Sequence, residues 1–143
     1  MPSSAIVAAR KFVRDGLEAL LSDAEVSYSW DPSSRAQYQV FTMRARGDHE
    51  PAALKAGKTI RDETARFNIA IHVAEVGGNV EEADDTAIEF GRIVEDFIAT
   101  NRCPPVDGIN WWVVESWEMD GGPSDNAAIT QLIYTIRYNA RLT

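Results

Sequence analysis

The chain has 143 residues, 45% of them apolar and 25% charged, with a formal net charge of −8 at pH 7. That length predicts one domain, large enough to bury about two thirds of its unfolded surface. The acid surplus argues against direct nucleic-acid recognition, no apolar run approaches the roughly 20 residues of a membrane span, and the single Cys103 excludes an internal disulfide and suits a reducing compartment. The first residues carry no basic segment followed by an apolar run, so no signal peptide is expected.

Ser3 or Ser4 can cap a first helix reaching about Leu21. Ile6, Ala9, Phe12, Val13, Leu17 and Leu20 fall three and four apart on one face, with Arg10, Lys11, Arg14, Asp15 and Glu18 opposite. Gly16, beside the apolar stripe, points to close packing onto a sheet. Val26, Tyr28 and Trp30 alternate with serines as a first strand, ended by Asp31-Pro32. A second strand follows from about Tyr38 to Arg46, then a polar loop from Gly47 to Gly57. From Lys58 or Thr59 to Val76 the chain is extended again, with Phe67, Ile69, Ile71 and Val73 on one face. Thr59 to Arg66 is charged on both sides, and the expectation is a hairpin arm projecting beyond the packed sheet.

Gly77-Gly78-Asn79 makes a turn into a second helix from about Val80 to Thr100. Ala83, Ala87, Phe90, Val94 and Phe97 give it an apolar stripe, and its first turn is acidic, as the helix dipole favours. Ile109 to Met119 reads as a strand apolar on both faces: Ile109, Trp111, Val113 and Trp117 on one, Trp112 and Val114 on the other. One face would meet the helices, and the other calls for a second cover, such as another subunit. Asp120 to Asn126 reads as a loop. Ile129 to Thr143 is a long final strand, with Leu132, Tyr134, Ile136 and Tyr138 on one face. So long an edge must lie inside a sheet or meet another subunit. The order α-β-β-β-α-β-β predicts a two-layer α+β domain, a mainly antiparallel sheet with both helices packed on one face.

Charge is unevenly placed. Between Glu75 and Asp96 eight acids face Arg92 alone, and Asp107 to Asp125 holds five acids and no base. Basic residues concentrate at Arg44, Arg46, Lys55, Lys58, Arg61 and Arg66. Such a chain can dock onto its own copies through opposite potentials, although a solvated helix face and ordinary strand charges produce the same pattern.

Catalytic and metal signatures are absent from the sequence. His49 and His72 have no ligand spacing, Gly77-Gly78 lacks the rest of a dinucleotide loop, and Asp84-Asp85 diverge on a helix. No Gly-x-Ser-x-Gly elbow or EF-hand pattern occurs. The expectation is a non-enzyme without cofactor or metal. Trp30, Trp111, Trp112 and Trp117 could line a ligand pocket, or serve as core and interface anchors.

The layout resembles the tail terminator and tail-completion proteins of long-tailed bacteriophages. The resemblance rests on the opening amphipathic helix (Ile6 to Leu21), the Trp30-Asp31-Pro32 strand end, the strand Arg66 to Val73, the helix Ala83 to Phe97, and the closing strand Tyr134 to Arg141. It implies a virion protein, assembled in the host cytoplasm, whose copies close into a ring, usually of six, on the end of the tail tube. The ring would stop tube growth and offer a surface to the head–tail connector, with DNA passing through its lumen unread. Side-to-side closure by rotation needs no catalysis. The expected contact sets the basic arm (Arg44, Arg46, Lys58, Arg61, Arg66) against a neighbour's acidic second helix (Glu82, Asp85, Glu89), with the Trp112/Val114 face under another subunit. Neck, head-closure and minor tail proteins share the layout, and a small ligand-binding α+β cup lined by the tryptophans is the competing reading.

Overall fold

A computed structural model describes residues 4–55 and 58–142. Two helices, α1 (Ile6–Leu20) and α2 (Val80–Thr100), cover one face of a five-stranded sheet. The strands are β1 (Glu25–Ser27), β2 (Tyr38–Lys55), β3 (Lys58–Val76), β4 (Ile109–Pro123) and β5 (Ala127–Leu142), in the spatial order β1-β2-β3-β5-β4. Only the β1–β2 pair is parallel. The α+β class, the element order and the antiparallel character follow the sequence pattern. α1 lies over β1 and β2, and α2 over β3, β5 and β4.

Alternation builds the core. Ala65, Phe67, Ile69, Ile71 and Val73 of β3 are buried beneath the helices, and so is every second residue of β5 from Ala128 to Leu142, the polar Thr130 included. Each large side chain so buried contributes roughly 1.5–3 kcal/mol. The long closing strand lies inside the sheet, between β3 and β4, so both its edges are satisfied. Asn79 caps α2 by accepting from the Glu82 amide at 2.9 Å. Ser3 lies outside the described residues. Ser4 accepts from the Ile6 amide at 3.1 Å, while Ala5 holds the cap position of α1. Gly16 packs against α2 rather than the sheet: a Cβ there would sit 2.3 Å from the Phe97 ring. Gly91 lets α2 rest on β5, with the Tyr134 hydroxyl 2.3 Å from where its Cβ would be.

Several boundaries differ from the sequence reading. β1 is three residues long, and Trp30 lies beyond it, packed on Phe41 and edge-on to His72. The segment from Gly47 to Lys55, expected as a loop, continues β2 in register with β3, because polar residues suit a solvent-exposed hairpin as well as a loop. Ala56 and Gly57, also in that expected loop, lie outside the described residues. Arg61 to Arg66 is not a free arm: it is flanked by β2 and by β5 down to Leu142. β4 runs on to Pro123, because Asp120, Gly121 and Gly122 pair with β5 and only a short turn remains.

Four register shifts interrupt the ladders, at Met43/Arg46, Pro51/Ala53, Ile109/Trp111 and Val114/Ser116, and two of them bear on the candidate site. One lies between Met43 and Arg46, where Arg44 takes a left-handed φ of 47°. The other lies between Val114 and Ser116, and it moves Trp117 into register with Tyr134 on the helix-bearing side of the sheet. Unbroken alternation would have placed Trp117 with Trp111 instead.

Candidate functional site

The candidate assembly residues fall on two separate parts of the sheet. Arg44 and Arg46 are exposed on β2, and Arg61 is half-buried on β3. Lys58 opens β3 opposite Lys55, and its side chain lies outside the described residues. Arg66 is engaged within its own chain. Its guanidinium donates to Glu115 at 2.7 and 3.1 Å, with Arg137 3.9 Å from the same carboxylate. Hydrogen bonding from Arg66 holds the Glu115 carboxyl below its ordinary value. Arg141 likewise grips Asp62, at 2.9 and 3.2 Å. Glu82, Asp85 and Glu89 are exposed on α2. Since α2 covers the β3–β5–β4 side and β2 lies on the other, the acidic helix and the free arginines face opposite flanks.

Trp112 does not lie under a neighbouring subunit as expected. It is fully buried in its own chain, packed on Phe12 and Phe67 and lining the space below α2. The helices cover the Trp112/Val114 face of β4 and not its opposite, and the register shifts put Ile109 and Trp117 on that face too, rather than with Trp111 and Val113 as expected. Trp111 turns outward beneath the Arg137 guanidinium, 5.4 Å from its ring centre. Trp30 closes over Phe41 and His72, and Trp117 is 63% exposed. The four indoles occupy four different surroundings and converge on no common cavity, which removes the main sequence argument for a ligand cup.

The sequence reading missed one polar cluster. Glu63 on β3 is only 2% exposed. It accepts from Ser4 Oγ (3.0 Å), the Ala5 amide (3.1 Å), the Tyr138 hydroxyl, and His49 Nε2 (2.7 Å). Burial opposes ionisation, but the bonds from Tyr138, His49, Ser4 and Ala5 outweigh it and hold the Glu63 pKa below the ordinary glutamate value. Burial, aided by that carboxylate, pushes the Tyr138 hydroxyl strongly upward. Three of the four donors converge on Oε1 and His49 takes Oε2, so Glu63 pins the start of α1 to β3. Its signal was phase: Glu63 is two residues from Ala65 in the buried series, and Tyr138 is in the buried series of β5. Beside it opens a cavity of about 300 Å³, lined by Ser4, Ile6, Ala45, Gly47, His49 and Ala65.

Among the described residues no group of three His, Cys, Asp or Glu side chains is arranged to hold a metal, and no helix is long and apolar enough to cross a membrane. Cys103 is exposed. Compared with known proteins, the chain matches no family model and no curated relative.

Proposed function

We propose that this chain is a ring-forming structural protein of a long-tailed phage, a tail terminator that caps the tail tube, ends its polymerisation and presents a joining surface to the head–tail connector. One observation carries the reading: a single sheet bears free arginines on β2 at one flank and an acidic helix over the other. Opposite charges on opposite flanks favour a head-to-tail contact, and head-to-tail contacts that close by rotation make rings. The two-layer α+β fold and the resemblance of the helix and strand pattern support the same reading. A lumen through which DNA slides needs no base readout, which agrees with the net charge of −8. Nothing in this role calls on cofactor, metal or catalytic group.

The arginines that matter are those without an internal partner. Arg66 is held by Glu115, so the decisive substitutions are Arg44→Glu, Arg46→Glu and Arg61→Glu combined. Native mass and negative-stain imaging of the unaltered chain are expected to show closed rings, and size exclusion with light scattering is expected to show the triple variant as a monomer. A concentration-independent monomer of the unaltered chain at every salt concentration, alone and with tube tips, would refute the ring.

A further inference from the structure

The sheet ends in two edges that nothing in the chain covers along most of their length. At one, β1 pairs only with Gln39–Phe41, and the Arg10 guanidinium takes the Thr42 carbonyl, so β2 is open from Met43 onward. At the other, β4 is the outermost strand: near its start the Val106 and Arg102 carbonyls take the Ile109 and Trp112 amides, each at 3.1 Å, and near its end the Asp120 carboxylate takes the Gly121 amide at 2.9 Å. Long open edges recruit other strands unless they are blocked.

Ladder alternation shows which residues offer hydrogen bonds outward. The Trp112 amide points away from β5, so Trp117 and Met119, which share its register class opposite Tyr134 and Leu132, also present N–H and C=O to the outside, as Gly121 does its C=O. On β2, the Ala74 amide bonds Gln37, which makes Thr42 and, beyond the bulge, Gly47 and His49 the outward class. Pro51 and Pro123 fall in the outward classes of their own strands and, having no N–H, close each usable edge. The remaining open segments, 43–50 and 114–122, are of similar length.

Charge distinguishes the pairings. The β4 segment carries Glu115, Glu118 and Asp120 and no base, so two β4 edges repel. The β2 segment carries Arg44 and Arg46 at its start and Asp48 and Glu50 at its end. An antiparallel register that sets Gly47 opposite Trp117 brings outward class against outward class. It also places Arg46 opposite Glu118 and Asp48 opposite Ser116, both on the sheet face away from the helices. On the helix-bearing face the same register sets the 63%-exposed Trp117 over Gly47. There the cavity of about 300 Å³ opens, walled by Ile6, Ala45 and Ala65. An exposed indole stands on one edge and a recess large enough to admit it lies over a glycine on the other.

We infer that the occupant of each open edge is a second copy of this chain. β4 of one copy adds antiparallel to β2 of the next, with Gly47 facing Trp117, and the Trp117 indole fills the recess beside Ile6 and Ala65. The inference rests on the ring reading above and specifies its contact. It also assigns the recess and the fourth tryptophan, which nothing inside the chain employs.

Arg46 and Glu118 form a non-hydrogen-bonded pair in this register, the close spacing that suits a disulfide. A chain carrying Arg46→Cys, Glu118→Cys and Cys103→Ser, oxidised after assembly, is expected to give a covalent ladder ending at the ring number. Either cysteine substitution alone, with Cys103→Ser, is expected to give none. Trp117→Ala is expected to weaken assembly by more than about tenfold while leaving urea unfolding of the monomer unchanged, as for a central interface aromatic. Amide exchange in 43–50 and 114–122 of the unaltered ring, compared with dilute monomer, is the readout that needs no variant, and slowing there is expected. Rings that form with unslowed exchange at both edges, or a single-cysteine chain that dimerises as well as the double variant cross-links, would overturn this contact while leaving the ring standing. A chain that never assembles would overturn both.

Discussion

Replacing Glu63 with alanine tests whether the buried carboxylate fastens α1 to the sheet. Of its four donors, the Tyr138 hydroxyl and the Ala5 amide belong to residues no more than 2% exposed, where water cannot replace the lost acceptor. Stranding a buried donor costs about 1–3 kcal/mol each. Ser4 and His49 line the open cavity, so water can serve them. Relief from burying a charge returns part of the loss. The net expectation is about 3 kcal/mol, a large fraction of the 5–15 kcal/mol typical of a domain, and a fall in the urea midpoint of about 1.5 M with unchanged slope. The effect has a defined pH course. The folded pKa of Glu63 lies below its ordinary value of 4.5, so its contribution is complete above that value and fades as the pH falls through the folded pKa. The gap between the unaltered chain and Glu63→Ala should therefore be widest near neutrality and close progressively below about pH 4.5. Asp62 and Glu115, also held low, are common to both chains and cancel. A loss under 1 kcal/mol, or a gap that stays constant from pH 7 to pH 3, would refute the role given to Glu63.

Other outcomes follow from packing. Trp112→Ala should cost about 3–5 kcal/mol and unfold the chain at markedly lower urea, because the ring is fully buried against Phe12 and Phe67. A stable monomer that merely fails to assemble would restore Trp112 to the interface. Gly91→Ala should lower the melting temperature despite a better helix propensity: its Cβ would lie 2.3 Å from the Tyr134 hydroxyl and 2.8 Å from Leu132, both in the core. A raised melting temperature would show that the α2–β5 contact is looser than described. Asn79→Ala should destabilise by about 1 kcal/mol through loss of the cap on the Glu82 amide, with calorimetry as the check.

Much of the fold was legible because local periodicity is a local property. The three-and-four spacing of Ala9, Val13 and Leu17, and the alternation of Phe67 to Val73 and Leu132 to Tyr138, needed no knowledge of neighbours. Polar strands were harder to read. Gly47 to Lys55 pairs with β3, yet its residues have the composition of a loop, since hydrogen bonding to a partner leaves no mark on exposed side chains such as those of Asp48 and Glu50. The pairing partner of Arg66 was equally hidden. Glu115 is 49 residues away and reaches it only because β5 lies between β3 and β4 and a bulge turns the carboxylate inward along the sheet.

The sequence by itself determined two amphipathic helices, an antiparallel sheet with a long closing strand, and a chain of divided charge. Those properties arise from the order of apolar and ionisable residues along a few turns or pleats. Tertiary structure alone decided which face of β4 the helices cover, that Glu63 is buried and satisfied, and that Trp117 and the recess beside Gly47 stand at opposite edges of one sheet. Such outcomes depend on strand order and on single-residue bulges, which bring distant segments together and reverse the side on which later residues point.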